Sequence, residues 1–256
     1  MKNVIVPLNA FDRFKVLENG QESFLQLIAQ SGAFGVEIRR ELLPVQDPQL
    51  DKIRNEMASN GLFAVYSAPI ELWKENHKLN ETELTEIFQE AMEMGAKWLK
   101  VSLGHYKHDA SNISDLAAYL NQYKNIQLLV ENDQTPHGGN VSQLTSFFEN
   151  VTEKKVPVKM TFDAGNWYYS GQRVEEALAK LSPYVVYLHL KQVEEGLLTV
   201  PLQREGNHSW KKVMQHFPST MVKALEFPIE PKEKTKDYID LISELVLESE
   251  AISCNS

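Results

Sequence analysis

The sequence predicts a closed (β/α)8 barrel, and three observations carry that expectation. Eight apolar or β-branched runs start near Val4, Gly35, Leu62, Trp98, Ile126, Val158, Val185 and Met221. Their mean spacing is about 31 residues, the size of one βα unit. The stretches between them carry apolar residues at three- and four-residue spacing, the period of a helix with one buried face. The chain has 256 residues, and a barrel of this kind takes about 250. A doubly wound open sheet would be the competing solution, but no Gly-x-Gly-x-x-Gly follows the first run, which ends Val6-Pro7-Leu8-Asn9.

Each element can be justified in turn. The run from Val4 leads to Phe24, Leu27 and Ile28, a helix stopped by Gly32. The run from Gly35 leads to Ile53 and Met57, with Gly61 as the stop. The third run, from Leu62, precedes Leu84, Ile87, Phe88 and Ala91; Asn80 with Glu83 reads as a cap with its reciprocal partner, and Gly95 ends the helix. Trp98 opens the fourth run, followed by Leu116, Ala117 and Leu120. Ile126 opens the fifth, followed by a helix capped by Asn140 with Gln143 and carrying Leu144, Phe147, Phe148 and Val151. The sixth and seventh runs, from Val158 and Val185, precede Val174, Ala177, Leu178 and Leu181, and then Trp210, Val213, Met214 and Phe217. Met221 opens the eighth, and the charged stretch from Glu230 to Asp237 introduces a final helix with Tyr238, Ile239, Ile242, Leu245 and Val246. No Pro/Gly/Ser-rich linker divides the chain, so residues 1–256 are read as one domain.

Composition excludes several classes. A hydrophobic content of 43% with 24% charged residues is that of an ordinary globular chain, neither disordered nor membrane-spanning. The net charge of −9 argues against nucleic acid, which needs clustered Lys and Arg to release counterions. The single cysteine, Cys254, reads as a tail residue, which leaves no internal disulfide and no thiolate metal cage. The apolar stretch within Met1 to Asn9 is brief and broken by Pro7, so neither a signal peptide nor a spanning segment is expected; the predicted location is cytoplasmic. No membrane partner is expected, and a homodimer is compatible with the fold.

Glu131, Asp163, His189 and Glu226 stand inside or at the downstream ends of the last four runs. In a parallel barrel, catalytic groups come from the C-terminal ends of the strands, so the four should share one mouth. Three carboxylates and one imidazole around a point repel unless a cation joins them. Such oxygen-rich ligation suits one fairly hard divalent ion, Mn²⁺, Mg²⁺ or Co²⁺ before Zn²⁺. Glu131 and Glu226, on the fifth and eighth runs, approach the centre from different sides, as a pair would that removes a proton from a carbon and returns one. The plain alternative is that strand-end acids cap helices or pair with lysines.

Seven further residues are candidates for substrate binding. Lys191 shares a strand face with His189, and Glu37 shares one with Arg39. Lys191 could meet a substrate oxygen or phosphate, and Arg39 could grip a carboxylate or phosphate, although a Glu37–Arg39 ion pair is the simpler reading. Asn9, Tyr66, Asn166 and Trp167 lie at or beyond strand ends and could line a pocket. His105 reads as a loop histidine, and His77, His108, His137, His208 and His216 as surface residues without partners.

The segments Leu-Leu-Val-Glu131-Asn-Asp, Thr-Phe-Asp163-Ala-Gly-Asn166, Tyr-Leu-His189-Leu-Lys191 and Ala-Leu-Glu226-Phe-Pro resemble the xylose isomerase-like TIM barrel superfamily, in its sugar phosphate isomerase/epimerase family. So does Val200-Pro-Leu-Gln-Arg-Glu-Gly206-Asn-His-Ser-Trp210, similar to that family's loop after the seventh strand. The resemblance covers nearly the whole chain. It implies a (β/α)8 TIM barrel, one divalent metal held by Glu131, Asp163, His189 and Glu226, and acid/base roles for Glu131 and Glu226. The chain departs from the family at Asn166, where many members carry histidine, and at Gln192, where many carry aspartate. The DNA-repair branch adds histidines on the third and fourth strands, where Ser67 and Ser102 align, so one metal is expected and DNA is not. The expected activity is a metal-dependent isomerase or epimerase of a small sugar, sugar phosphate or polyol-derived ketone, working through an enediolate. The alternatives are a dehydratase acting on an inosose or dehydroshikimate-like ring, and a non-catalytic carbohydrate-binding barrel.

Overall fold

The computed structural model describes residues 3–253; Cys254 lies outside them. Eight strands form the closed barrel: β1 (Val4–Pro7), β2 (Gly35–Arg39), β3 (Phe63–Trp73), β4 (Trp98–Gly104), β5 (Gln127–Glu131), β6 (Val158–Asp163), β7 (Val185–Leu190) and β10 (Val222–Leu225). Every barrel pair is parallel, and β10 closes on β1. Between β7 and β10 lies a small antiparallel pair, β8 (Gln192–Glu194) and β9 (Leu198–Val200).

The helices on the eight predicted stretches are α2 (Leu25–Gln30), α3 (Leu50–Ser59), α4 (Glu81–Met94), α5 (Ile113–Leu120), α6 (Val141–Glu153), α8 (Val174–Leu181), α9 (Ser209–His216) and α10 (Thr235–Ser253). Two more are α1 (Arg13–Asn19) and α7 (Asn166–Tyr169). The first lacks an apolar stripe, since Val16 is buried while Phe14 and Leu17 are exposed, so periodicity could not reveal it. The second is a single turn. The Asn140 side chain accepts the Gln143 N–H at 3.0 Å, as expected of a cap. Asn80 differs: its amide donates to the Glu83 carboxylate and, at 3.1 Å, to the Glu71 carbonyl, and so ties the helix start to the end of β3.

Alternation along the strands sorts residues into two layers. Outward side chains such as Val36, Ile38, Tyr66, Val130, Phe162 and Leu188 pack in the core shared with the helices. Inward, Ile5, Val65, Leu129, Tyr187 and Ala224 form an apolar plug. Two residues further along β5, β7 and β10 the same inward face presents Glu131, His189 and Glu226, so the interior turns from apolar to charged within one strand repeat. The strand β3 carries a register shift against β4 between Ser67 and Glu71, at Pro69, which has no N–H to give the ladder. That irregularity extends β3 onto the rim.

Candidate metal centre

Register brings the four strand-end residues together. Asp163 on β6 pairs with His189 on β7, and His189 pairs with Ala224, two residues before Glu226. One donor atom from each of Glu131, Asp163, His189 and Glu226 lies within 4.8 Å of all the others. His189 Nδ1 is 2.9 Å from Glu226 Oε2, 3.1 Å from Glu131 Oε1 and 4.0 Å from Asp163 Oδ2. Ligands held about 2.1 Å from one ion in octahedral geometry stand about 3.0 Å apart when adjacent and about 4.2 Å when opposite. The observed separations from His189 Nδ1, 2.9 to 4.0 Å, fall in the range that ligands of one ion span. The chemistry agrees: Glu131 Oε1 and Asp163 Oδ2 are buried carboxylate oxygens beside the other donors of the cage. The residues present fit a divalent cation.

Support for the ligands is extensive. Glu37, fully buried, accepts from His189 Nε2 at 2.9 Å and from the Tyr187 hydroxyl at 2.8 Å. With the Nε2 proton committed there, the Nδ1 lone pair is directed to the cage. Arg39 and Lys100 flank Glu37 at 2.7 and 3.3 Å, and Lys100 reaches Glu131 Oε2 at 2.7 Å. Arg39 also meets Glu41 at 2.8 Å and Glu226 at 3.4 Å. The Asn9 amide donates to Glu226 Oε1 at 3.1 Å. Asp163 Oδ1 accepts the backbone N–H groups of Gly165 and Asn166 at 2.7 and 2.8 Å, and Asn132 exchanges two hydrogen bonds with the Asp163 backbone. Lys191 lies 2.9 Å from Asp163 Oδ2, 3.0 Å from Glu226 Oε2 and 3.1 Å from Asn166 Oδ1. Gly165 makes room for it, since a Cβ there would meet Lys191 Cδ at 2.7 Å.

These neighbours set the protonation states of the metal-free cage. Burial pushes Asp163 up to about 7, and Glu226 and Glu131 add to the rise against the opposing charge of Lys191. Burial also disfavours charge on Glu226 and Glu37, but nearby cations win, Lys191 and His189 for Glu226 and Lys100 and His189 for Glu37, so both carboxyls fall well below their usual range. For His189, burial and Lys100 oppose the charged form, yet Glu37, Glu226 and Glu131 raise it to about 9. Lys191 is raised despite its burial, chiefly by Asp163 and Glu226, and so stays an ammonium.

The other sequence candidates divide. Lys191, Asn166, Arg39 and Asn9 all stand at the cage. Three do not stand where a substrate contact requires. Glu37 lies beneath the cage and is covered by Arg39, Lys100, His189 and Tyr187, so it holds the imidazole instead. Tyr66 points outward, because strand alternation puts Val65 inside; its hydroxyl donates to Glu90 on α4 at 2.5 Å. Trp167 is fully buried in the outer core against Phe162, ring centroids 5.3 Å apart. His137, read as a surface residue without partners, differs: its ring stacks at 3.9 Å on that of the loop histidine His105, and its Nε2 is 2.8 Å from Glu71. Gln192 is occupied structurally, accepting from the Gln203 N–H at 3.0 Å and the Trp210 indole at 3.2 Å.

Sequence reasoning missed Lys100, Asn132, Gln134 and Tyr187. Lys100 had a signal, a cation inside the apolar run from Trp98 to Leu103 on the inward alternation. Gln134, which donates to Asn166 at 3.2 Å, lies in a loop with no period to read.

Comparison with known proteins agrees with this fold. The model of the xylose isomerase-like TIM barrel family matches residues 25–242. No curated protein matches in sequence. Among solved structures, a xylose isomerase domain containing protein (stm4435) from Salmonella typhimurium superimposes with a TM-score of 0.75 at 16% identity, covering 96% of this chain and 97% of that one. The IOLI protein with a binding zinc atom gives 0.67 at 14%, covering 97% and 98%. D-psicose 3-epimerase, solved in the presence of D-fructose, gives 0.63 at 12%, covering 99% and 98%. At these identities the solved structures speak for the fold, whereas the family model speaks for ancestry. By its barrel and by that match over most of its length, the chain belongs to the xylose isomerase-like TIM barrel family.

Proposed function

We propose that the protein is a divalent-metal-dependent isomerase or epimerase of a small sugar, sugar phosphate or polyol-derived ketone. One observation carries the reading most: Glu131 and Glu226 are the solvent-facing members of the cage, with side chains 16% and 11% exposed, while Asp163 and His189 are 0% exposed beneath them. Buried ligands hold an ion; ligands at the opening can also reach a substrate carbon. A cation in this cage supplies Lewis acidity to a carbonyl and its adjacent hydroxyl, lowering the barrier to loss of the α-proton. Glu226, held ionised by Lys191 and His189, is the ready base, and Glu131 faces it across the centre for the return of a proton. Lys191 keeps its proton too tightly for acid work and instead supplies a fixed positive charge beside the developing enediolate oxygen.

Both departures from the family pattern have structural partners: Asn166 Oδ1 accepts from Gln134 and Lys191, and Gln192 Oε1 accepts from the Gln203 N–H and the Trp210 indole. The fold alone does not separate isomerisation from dehydration, since a probable 3-DHS dehydratase from Bacillus anthracis shares it (TM-score 0.60, 15% identity, covering 95% of this chain and 99% of that one). The net charge of −9 favours a small metabolite over DNA. The test is NMR of the Mg²⁺-loaded protein in D₂O against ketoses, ketose phosphates and inososes. Exchange of one α-proton, abolished in Glu131→Gln and Glu226→Gln, is expected. No exchange across the panel, or exchange unaltered in Glu131→Gln, overturns the proposal.

A further inference from the structure

A second group of metal-type donors stands on the same rim. Glu71 stands two residues before the end of β3, His105 follows β4, and His137 lies in the loop after β5; one donor atom from each falls within 4.8 Å of the other two. His137 Nε2 is 2.8 Å from Glu71 Oε1 and His105 Nε2 is 3.6 Å from Glu71 Oε2, so both imidazoles aim the same nitrogen at one carboxylate. The rings stack at 3.9 Å with 22° between their planes. Tetrahedral ligands about 2.1 Å from an ion stand about 3.4 Å apart. The observed separations bracket that value.

The backbone around each ligand is braced. Gly104, at φ +68°, turns the chain where a Cβ would meet the Trp73 carbonyl oxygen at 2.4 Å, and this close approach sets His105 beside Glu71. His105 is then fixed from both sides: its N–H donates to Trp73 O, and its carbonyl lies 2.8 Å from His77 Nδ1. The loop bearing His137 is tied by Thr135, whose N–H and hydroxyl donate to Asp133 Oδ1 at 2.7 and 2.6 Å and whose oxygens accept from Gly138 and Gly139. All three ligands remain about a third exposed, with 34% for Glu71 and 28% for each histidine, so an ion can enter and keep open positions.

We propose that Glu71, His105 and His137 form a second divalent-metal centre. Two imidazoles and one carboxylate select borderline ions such as Zn²⁺, Co²⁺ or Ni²⁺, in contrast to the oxygen-rich cage, which takes harder ions. Glu71 pairs with Ser102 and Ser102 with Glu131, so Glu71 and Glu131 stand two strand spacings apart, roughly 10 Å. The two groups share no ligand, so this centre is separate from the first.

The test is equilibrium dialysis and visible absorption of the full, chelator-stripped chain with Co²⁺. The wild type is expected to bind two equivalents, and His105→Ala/His137→Ala, checked for an unchanged melting transition in chelator, to bind one. Glu131→Gln/Asp163→Asn should keep the equivalent held by the two histidines, with its own d–d spectrum. Equal stoichiometry and spectrum in the wild type and the His105→Ala/His137→Ala variant overturns the proposal. The double carboxylate variant reports on the first cage separately, so failure of one centre is read independently of the other. Glu71→Gln with His137→Ala serves as a second variant if the histidine pair fails to fold.

Discussion

His189 is the residue on which the cage turns, because its two nitrogens face opposite demands. Nε2 is committed to Glu37, and Nδ1 confronts three carboxylates, which hold a proton there up to about pH 9 when no metal is bound. A metal must displace that proton, so the sign of the pH dependence is fixed: protons compete with the ion, and affinity climbs as they leave. Mn²⁺ affinity is expected to rise about tenfold per pH unit toward pH 9 and then level off. Below about 7 the climb should steepen, because Asp163 also carries a proton there. A competition titration from pH 6 to 9.5 measures this, and a flat profile would contradict the assignment of Nδ1 as a ligand. Lys191 adds a different constraint, since its ammonium beside Asp163 and Glu226 would repel an ion in the cage.

Among the elements, β3 shows how alternation and irregularity share the work. Its regular part directs Tyr66 outward to Glu90, where Arg40 completes the group at 2.9 Å from the same carboxylate. This arrangement pins α4 to the barrel wall, far from substrate chemistry. Tyr66→Phe is expected to lower stability by about 1–2 kcal/mol in chemical denaturation while leaving metal affinity unchanged; an altered metal affinity with unaltered stability would return Tyr66 to the mouth. Beyond Pro69 the register shift lifts Glu71 to the rim. Period-two reading of the sequence puts Glu37 and Arg39 on one face, but it set Tyr66 at the end of a strand that runs on to Trp73. It cannot count through a bulge, and for that reason Glu71, His105 and His137 stayed unconnected until the strands were paired.

The whole barrel is stratified, with an apolar plug below and a charged mouth above. Ile5, Val65, Leu129, Tyr187 and Ala224 fill the lower interior, so the carboxylates above them are supported from beneath by side chains that exclude water. Leu129→Ala opens a cavity two residues below Glu131 and is expected to cost about 2–5 kcal/mol, read as a lower melting temperature. A loss under about 1 kcal/mol, in the same units, would mean the plug collapses without consequence. No helix among the described residues is long and apolar enough to cross a membrane.

The sequence by itself determined the barrel and the four cage residues, because strand and helix periods are local and a parallel strand delivers its last inward side chain to a known place. It also bounded the chemistry, since three carboxylates and an imidazole at strand ends are a donor set that suits a divalent cation. Only the tertiary structure decided that Glu37 serves His189 rather than substrate, that Trp167 belongs to the outer core, and that Lys100 sits beneath Glu131. The physical reason is closure: neighbours across a barrel are set by strand register, bulges and loop bracing, which join residues distant in sequence and leave no period behind.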